Sequence, residues 1–105
     1  METRKEDRIY GVKDLIIKDD GREFNAIVTS ISRTGMSVIS DNTFPTYKEI
    51  EVKFRIGDEP VTIKGSIRWV MDHKGEPGSN LKEIGILFLD PPAEYLGYLD
   101  NIRNK

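Results

Sequence analysis

A lone histidine, two acidic pairs, two arginines four positions apart and a run of hydroxyls ahead of a glycine are the groups in this 105-residue chain whose type and spacing bear on chemistry. His73 stands near Gly75 and Pro77 in a polar stretch, without the Ser and Asp partners of a catalytic triad or the ligand spacing of a metal site. It reads as a solvent-facing loop residue. Asp19-Asp20 and Asp58-Glu59 fall at turn signals, where carboxylates serve local hydrogen bonding. Cysteine is absent, which excludes a thiolate nucleophile, a cysteine-bound metal and a disulfide framework. Neither G-x-x-x-x-G-K-[ST] nor G-x-G-x-x-G occurs. These residues predict a protein that is not an enzyme and uses no cofactor or metal.

Two patterns are left. Arg4-Lys5-Glu6-Asp7-Arg8 is an R-x-x-x-R pair, a spacing that is common by chance in a chain with seven arginines. Ser30-Ile31-Ser32-Arg33-Thr34-Gly35 places hydroxyls at a strand end before a glycine turn, an ordinary β-turn composition when taken alone. Their order along the chain is more informative than either pattern, and it depends on the elements between them.

The segment from Glu2 to Arg8 is entirely polar or charged and cannot offset its own ordering entropy, so residues 1–10 read as a flexible arm and 11–105 as one domain. Val12, Leu15, Ile16 and Ile17 run into Asp19-Asp20-Gly21, a hairpin turn followed by the β-branched stretch Glu23 to Ile31. A third strand resumes at Met36. Ile50, Val52, Phe54 and Ile56 alternate with Glu49, Glu51, Lys53 and Arg55, the period of a half-buried strand. After Gly57-Asp58-Glu59-Pro60, the apolar series Val61, Ile63, Ile67, Trp69 and Met71 is interrupted at Gly65, which predicts a bulge there and a core position for Trp69. A loop from Asp72 to Lys82 precedes a sixth strand, Ile84 to Leu89. The remainder reads as a helix over 91–104, capped by Asp90, with Pro91 and Pro92 in its first turn and Tyr95, Leu96, Leu99 and Ile102 on its apolar stripe. Six strands and one C-terminal α-helix predict an all-β fold, a closed or nearly closed antiparallel barrel, because closure removes exposed edges.

Composition limits the partners. The net charge of −2 and the pI near 5.4 argue against long nucleic acid held by bulk electrostatics. Few exposed aromatics are expected, which disfavours a general single-strand-binding barrel as well. No apolar run approaches membrane-spanning length and no leader pattern opens the chain. With cysteine absent, the expected location is cytoplasmic, without membrane insertion.

Read in order, the R-x-x-x-R arm, the hydroxyl-and-glycine turn, Gly65-Ser66-Ile67-Arg68-Trp69-Val70, Ile84-Gly85-Ile86-Leu87-Phe88 and the terminal helix resemble the PilZ domain family over essentially the whole chain. The resemblance implies a six-stranded split barrel of bacterial origin that binds the second messenger cyclic di-GMP, with the arm folding over ligand held on the barrel surface. It would place Arg4 and Arg8 at the two arginine positions, and Ser32 and Gly35 at the S and G of the [D/N]-x-S-x-x-G turn. Ser30 stands where that pattern carries Asp or Asn.

The residue types suit such a ligand. A guanidinium can bridge phosphate oxygens, pair with guanine O6 and N7, or stack on the purine, and Arg33 adds a third one. The guanine N1–H and N2–H₂ groups need acceptors; Ser30 offers a neutral oxygen in place of a carboxylate, at a cost of roughly 1–2 kcal/mol. Gly35 is expected to supply a left-handed turn and close backbone approach. Micromolar binding corresponds to about −8 kcal/mol, and ordering each arm residue costs roughly 1–2 kcal/mol, so arm docking and ligand binding are comparable in size and can be coupled. The expected function is a stand-alone receptor that signals to an effector protein through its arm. The alternative is an adaptor that keeps the barrel and has lost the nucleotide.

Overall fold

The computed structural model describes residues 14–56 and 58–103. The barrel is built from β1 (Asp14–Asp19), β2 (Arg22–Ile31), β3 (Gly35–Ser40), β4 (Glu49–Ile56), β5 (Glu59–Asp72) and β6 (Lys82–Leu89), followed by α1 (Ala93–Arg103). The strands close in the order β1-β2-β3-β6-β5-β4, every pair antiparallel. This is the closed six-stranded architecture expected from the alternating pattern. The β1–β2 hairpin turns through Asp20 and Gly21, both at positive φ (53° and 83°), the backbone of a type I′ turn.

Alternation decides what faces inward. Ile50, Val52 and Phe54 of β4 are buried, while Glu49 and Arg55 face water. Ile17, Val38, Ile63, Ile67 and Ile84 complete a β-branched core. α1 packs onto the barrel core. Its Tyr95 is fully buried, meeting Phe54 and Phe88 edge-on with ring centroids 5.9 and 5.2 Å away, and Leu99 follows one turn later.

The helix begins later than the sequence implies. Asp90 has φ 56°, outside the extended conformation an N-cap needs, and the Pro92 carbonyl accepts the first helical bonds from the Tyr95 and Leu96 N–H groups. Pro92 is therefore the capping position, and both prolines lie ahead of the first turn.

Trp69 corrects the sequence reading more sharply. Gly65 continues the β4 and β6 ladders without interruption; the register slips instead between Ile67 and Trp69, across Arg68. The extra residue reverses the alternation, so Ile67 is buried and Trp69 turns outward, 43% exposed. Gly65 is small for packing: a Cβ there would lie 2.6 Å from Ile86 Cγ2.

A candidate ligand-binding groove

The β2–β3 turn is pinned from three sides. The Ser32 N–H and hydroxyl both donate to the Gly35 carbonyl, at 2.8 and 3.2 Å. The Thr34 carbonyl accepts from the Phe88 N–H of β6 at 2.8 Å. The Ser32 carbonyl accepts from the Tyr95 hydroxyl at 2.6 Å, which fastens the turn to the helix. A second tie joins the same elements: Arg33 Nη1 lies 2.9 Å from Asp100 Oδ1.

Gly35 is required for a reason other than the expected one. Its φ is not positive, so the left-handed turn is not what selects glycine. The backbone runs against β6 so closely that a Cβ would sit 2.2 Å from the Ile86 carbonyl oxygen. Close approach is confirmed, but it is made to the barrel itself. A similar economy operates at Gly85, where a Cβ would come within 2.2 Å of Trp69 Nε1 and Cε2. The missing side chain lets the indole lie across β6.

Together these residues shape a shallow groove of about 170 Å³ on the outer face, bordered by Ser32, Gly35, Ser37, Arg68, Trp69 and Gly85. The Arg68 guanidinium is steadied 5.0 Å from the centre of the Tyr47 ring. An indole plane, a guanidinium and hydroxyls side by side offer stacking, anion pairing and hydrogen bonding. Groups with perturbed ionisation lie away from it. Lys82 holds the Asp72 carboxyl below its usual range, and the Lys74 N–H, then His73, do the same for Glu83, all at the β5–β6 loop and the strand ends that flank it. Asp20 and Asp19 raise Lys48 near the β1–β2 turn. Among the described residues no three His, Asp or Glu side chains gather as metal ligands.

The structure brings Ser32 and Gly35 into the groove wall. Ser30 lies behind it, 7% exposed, with its hydroxyl 2.9 Å from that of Ser37. Arg33 reaches to Asp100 rather than lining the groove. Arg4, Arg8 and the remainder of the 1–10 arm lie outside the described residues. Arg68 and Trp69 were missed as groove residues by sequence reasoning, although both stand in the Gly65 to Val70 stretch that carried the family likeness. An alternating strand gives no sign of which residue will bulge.

The chain is thus a small closed antiparallel barrel with a C-terminal helix and a polar and aromatic groove beside the β2–β3 turn. The sequence matches the PilZ domain model over residues 2–102, and the chain belongs to that family. Solved structures that share the fold include two PilZ-type proteins. The inhibitor of motility MotI/DgrA of Bacillus subtilis superposes with a TM-score of 0.75 at 18% identity, covering 99% of this chain. This chain spans about half of that protein, 52% of its length. The PilZ domain of YcgR from Escherichia coli, solved with c-di-GMP, gives a TM-score of 0.66 at 13% identity, covering 96% of this chain and 88% of the other. No curated protein matches the sequence. Among the described residues, no helix is long and apolar enough to cross a membrane.

Proposed function

We propose that this PilZ domain is a receptor for cyclic di-GMP and not an enzyme, with the nucleotide seated against the groove beside the β2–β3 turn. The observation that carries the reading is the pairing of the pinned Ser32-to-Gly35 turn with an outward indole and guanidinium. A guanine can stack on Trp69 while a phosphate meets Arg68. Ser30, Ser32, Arg33 and Gly35 take the turn's share of the site, Arg33 by exchanging the exposed Asp100 carboxylate for phosphate.

The groove's size supports a further part for the arm. Pockets that enclose a small ligand hold roughly 300–1,000 Å³, and this one holds about 170 Å³. A cyclic dinucleotide would therefore lie on the wall with much of its surface uncovered. Arg4 and Arg8 are the cations that would close over it, and their docking alters the surface seen by an effector protein.

Calorimetric titration with cyclic di-GMP tests the reading. Arg4→Ala and Arg8→Ala are each expected to lose about 2–4 kcal/mol of binding. Amide exchange around Arg4 to Arg8 is expected to slow with ligand. Undiminished affinity in both variants overturns the assignment of the arm. Ser30 in place of Asp or Asn favours one other reading, an adaptor that acts through protein contacts alone; absence of any heat with the nucleotide would select it.

A further inference from the structure

Beside the groove, three hydroxyls gather around the position where the family pattern carries a carboxylate or amide. β2 bulges at Thr29: the β2–β3 register runs Ile27↔Ile39 and Val28↔Val38, then moves to Ser30↔Ser37. The bulge lets Thr29 and Ser30 share one partner across the ladder. Thr29 Oγ1 is 2.7 Å from Ser37 Oγ and 3.0 Å from the Ser37 carbonyl oxygen, and Ser30 Oγ is 2.9 Å from Ser37 Oγ.

Placing each hydroxyl proton in a single two-centre bond gives one consistent set of directions. A carbonyl only accepts, so the single Thr29 hydroxyl proton goes to the Ser37 carbonyl. Ser37 must then donate to Thr29 Oγ1, and Ser30 must donate to Ser37 Oγ. The relay runs Ser30 to Ser37 to Thr29 to the Ser37 carbonyl. All three hydroxyl protons are consumed within it, and any further bond these oxygens make is one they accept. The Ser37 and Thr29 oxygens each keep a lone pair, 2.7 Å apart. Thr29 is exposed and Ser37 lines the groove, so both can be approached from solvent.

Resting on the cyclic di-GMP reading above, we infer that the Thr29–Ser37 hydroxyl pair is the guanine-reading element of this chain, with buried Ser30 as the positioning residue that commits the Ser37 proton. Two neighbouring acceptors with no proton to offer do the work of a carboxylate without its charge. They match the adjacent N1–H and N2–H donors of guanine. Adenine presents an acceptor at N1, which meets a lone pair there and is rejected; hypoxanthine keeps N1–H and lacks the amine, and forfeits one of the two bonds.

The test is calorimetric titration of the full chain with cyclic di-GMP, its inosine analogue cyclic di-IMP, and cyclic di-AMP. Wild-type protein is expected to prefer cyclic di-GMP over cyclic di-IMP by about tenfold, the discrimination of one hydrogen bond, and to reject cyclic di-AMP more strongly. Thr29→Val keeps the β-branched shape at an exposed site and removes one acceptor; Ser37→Ala removes the other. The variant that removes the acceptor facing N2–H is expected to narrow the guanine-to-hypoxanthine preference to about threefold or less, while the variant that removes the acceptor facing N1–H weakens both nucleotides alike; Thr29→Ser is expected to keep the wild-type preference. Circular dichroism confirms the barrel in each variant. Full preference retained in folded Thr29→Val and Ser37→Ala overturns this inference and leaves the receptor reading standing. Failure of the wild type to bind any of the three nucleotides overturns the receptor reading, and the inference with it.

Discussion

Gly35 and Trp69 separate what holds the groove wall together from what a ligand can touch. A methyl group at position 35 would meet the Ile86 carbonyl at 2.2 Å, and both sides of that contact are backbone, so a rotamer change cannot relieve it. Gly35→Ala is expected to destabilise the barrel by about 3 kcal/mol or more, the upper range for overpacking, read as a lower midpoint in urea denaturation. Trp69 has the opposite profile. Its indole covers Gly85 but is 43% exposed, so Trp69→Ala should shift stability by about 1 kcal/mol while cutting cyclic di-GMP affinity by ~1–3 kcal/mol, the worth of one stacked base. Equal affinity in wild type and Trp69→Ala would remove the indole from the site. Ser32 and Gly35 were legible in the sequence because a turn motif is local. Trp69 was not, because its direction depends on a one-residue slip that only pairing with β6 reveals.

At the level of elements, two connections use charge in contrasting ways. The β2–β3 turn is bound to α1 through Tyr95 and through the Arg33–Asp100 pair, whose side chains are 43% and 54% exposed. An ion pair that open to water contributes little, about 0–1 kcal/mol, so a phosphate bearing a full charge can displace the carboxylate. Asp100→Asn is accordingly expected to tighten cyclic di-GMP binding severalfold, because Arg33 no longer has to leave an anionic partner. Weaker binding in Asp100→Asn would show that Arg33 acts from the helix. The β5–β6 loop depends on carboxylates instead. Asp72 engages Lys82 and the Gly78 N–H, and Glu83 receives the Lys74 N–H and pairs with His73. Both carboxyls are held below their usual range, so the folded loop binds their protons less readily than the unfolded chain does. Their stabilisation is present above the ordinary carboxylate range and is lost as pH falls through the lowered folded values. Backbone NMR should show the Lys74 and Gly78 amide resonances shifting together below the ordinary carboxylate range; resonances that stay fixed through acid titration would mean that the two carboxylates do not organise the loop. The sequence identified this stretch as a loop from its Gly and Pro content, but ion pairs across ten residues leave no local trace.

For the molecule as a whole, closure of the barrel could be anticipated from strand count and alternation, while the position of its weakest seam could not. Hydrophobic period says which face of a strand is buried and nothing about which neighbour it takes when the sheet curls shut. Among the described residues, β1 and β4 supply the closing pair with three matched positions, Ile16↔Lys53, Ile17↔Val52 and Lys18↔Glu51, whereas β5 and β6 pair along the full length of β6. Lys48 reinforces the seam from outside, 3.2 Å from Asp19 and 3.1 Å from Asp20, which carries the β1 end to the residue just before β4. In the circular order, this seam lies opposite the β3–β6 pair that underlies the groove. Cooperative opening begins where the fewest ladder bonds must break, so native-state hydrogen exchange is expected to release the β1–β4 amides at lower free energy than those between β5 and β6. Replacing Lys48 with Met should lower that opening free energy further and leave β3–β6 exchange unchanged. Cyclic di-GMP provides the complementary measurement: bound at the groove, it should raise protection in β3 and β6 and leave exchange through β1–β4 opening unaltered, because a partial opening that preserves the binding surface is not opposed by ligand. Protection that rose equally at the seam would mean that the barrel opens only as a unit, and that the short pairing at β1 and β4 is no weaker than the rest.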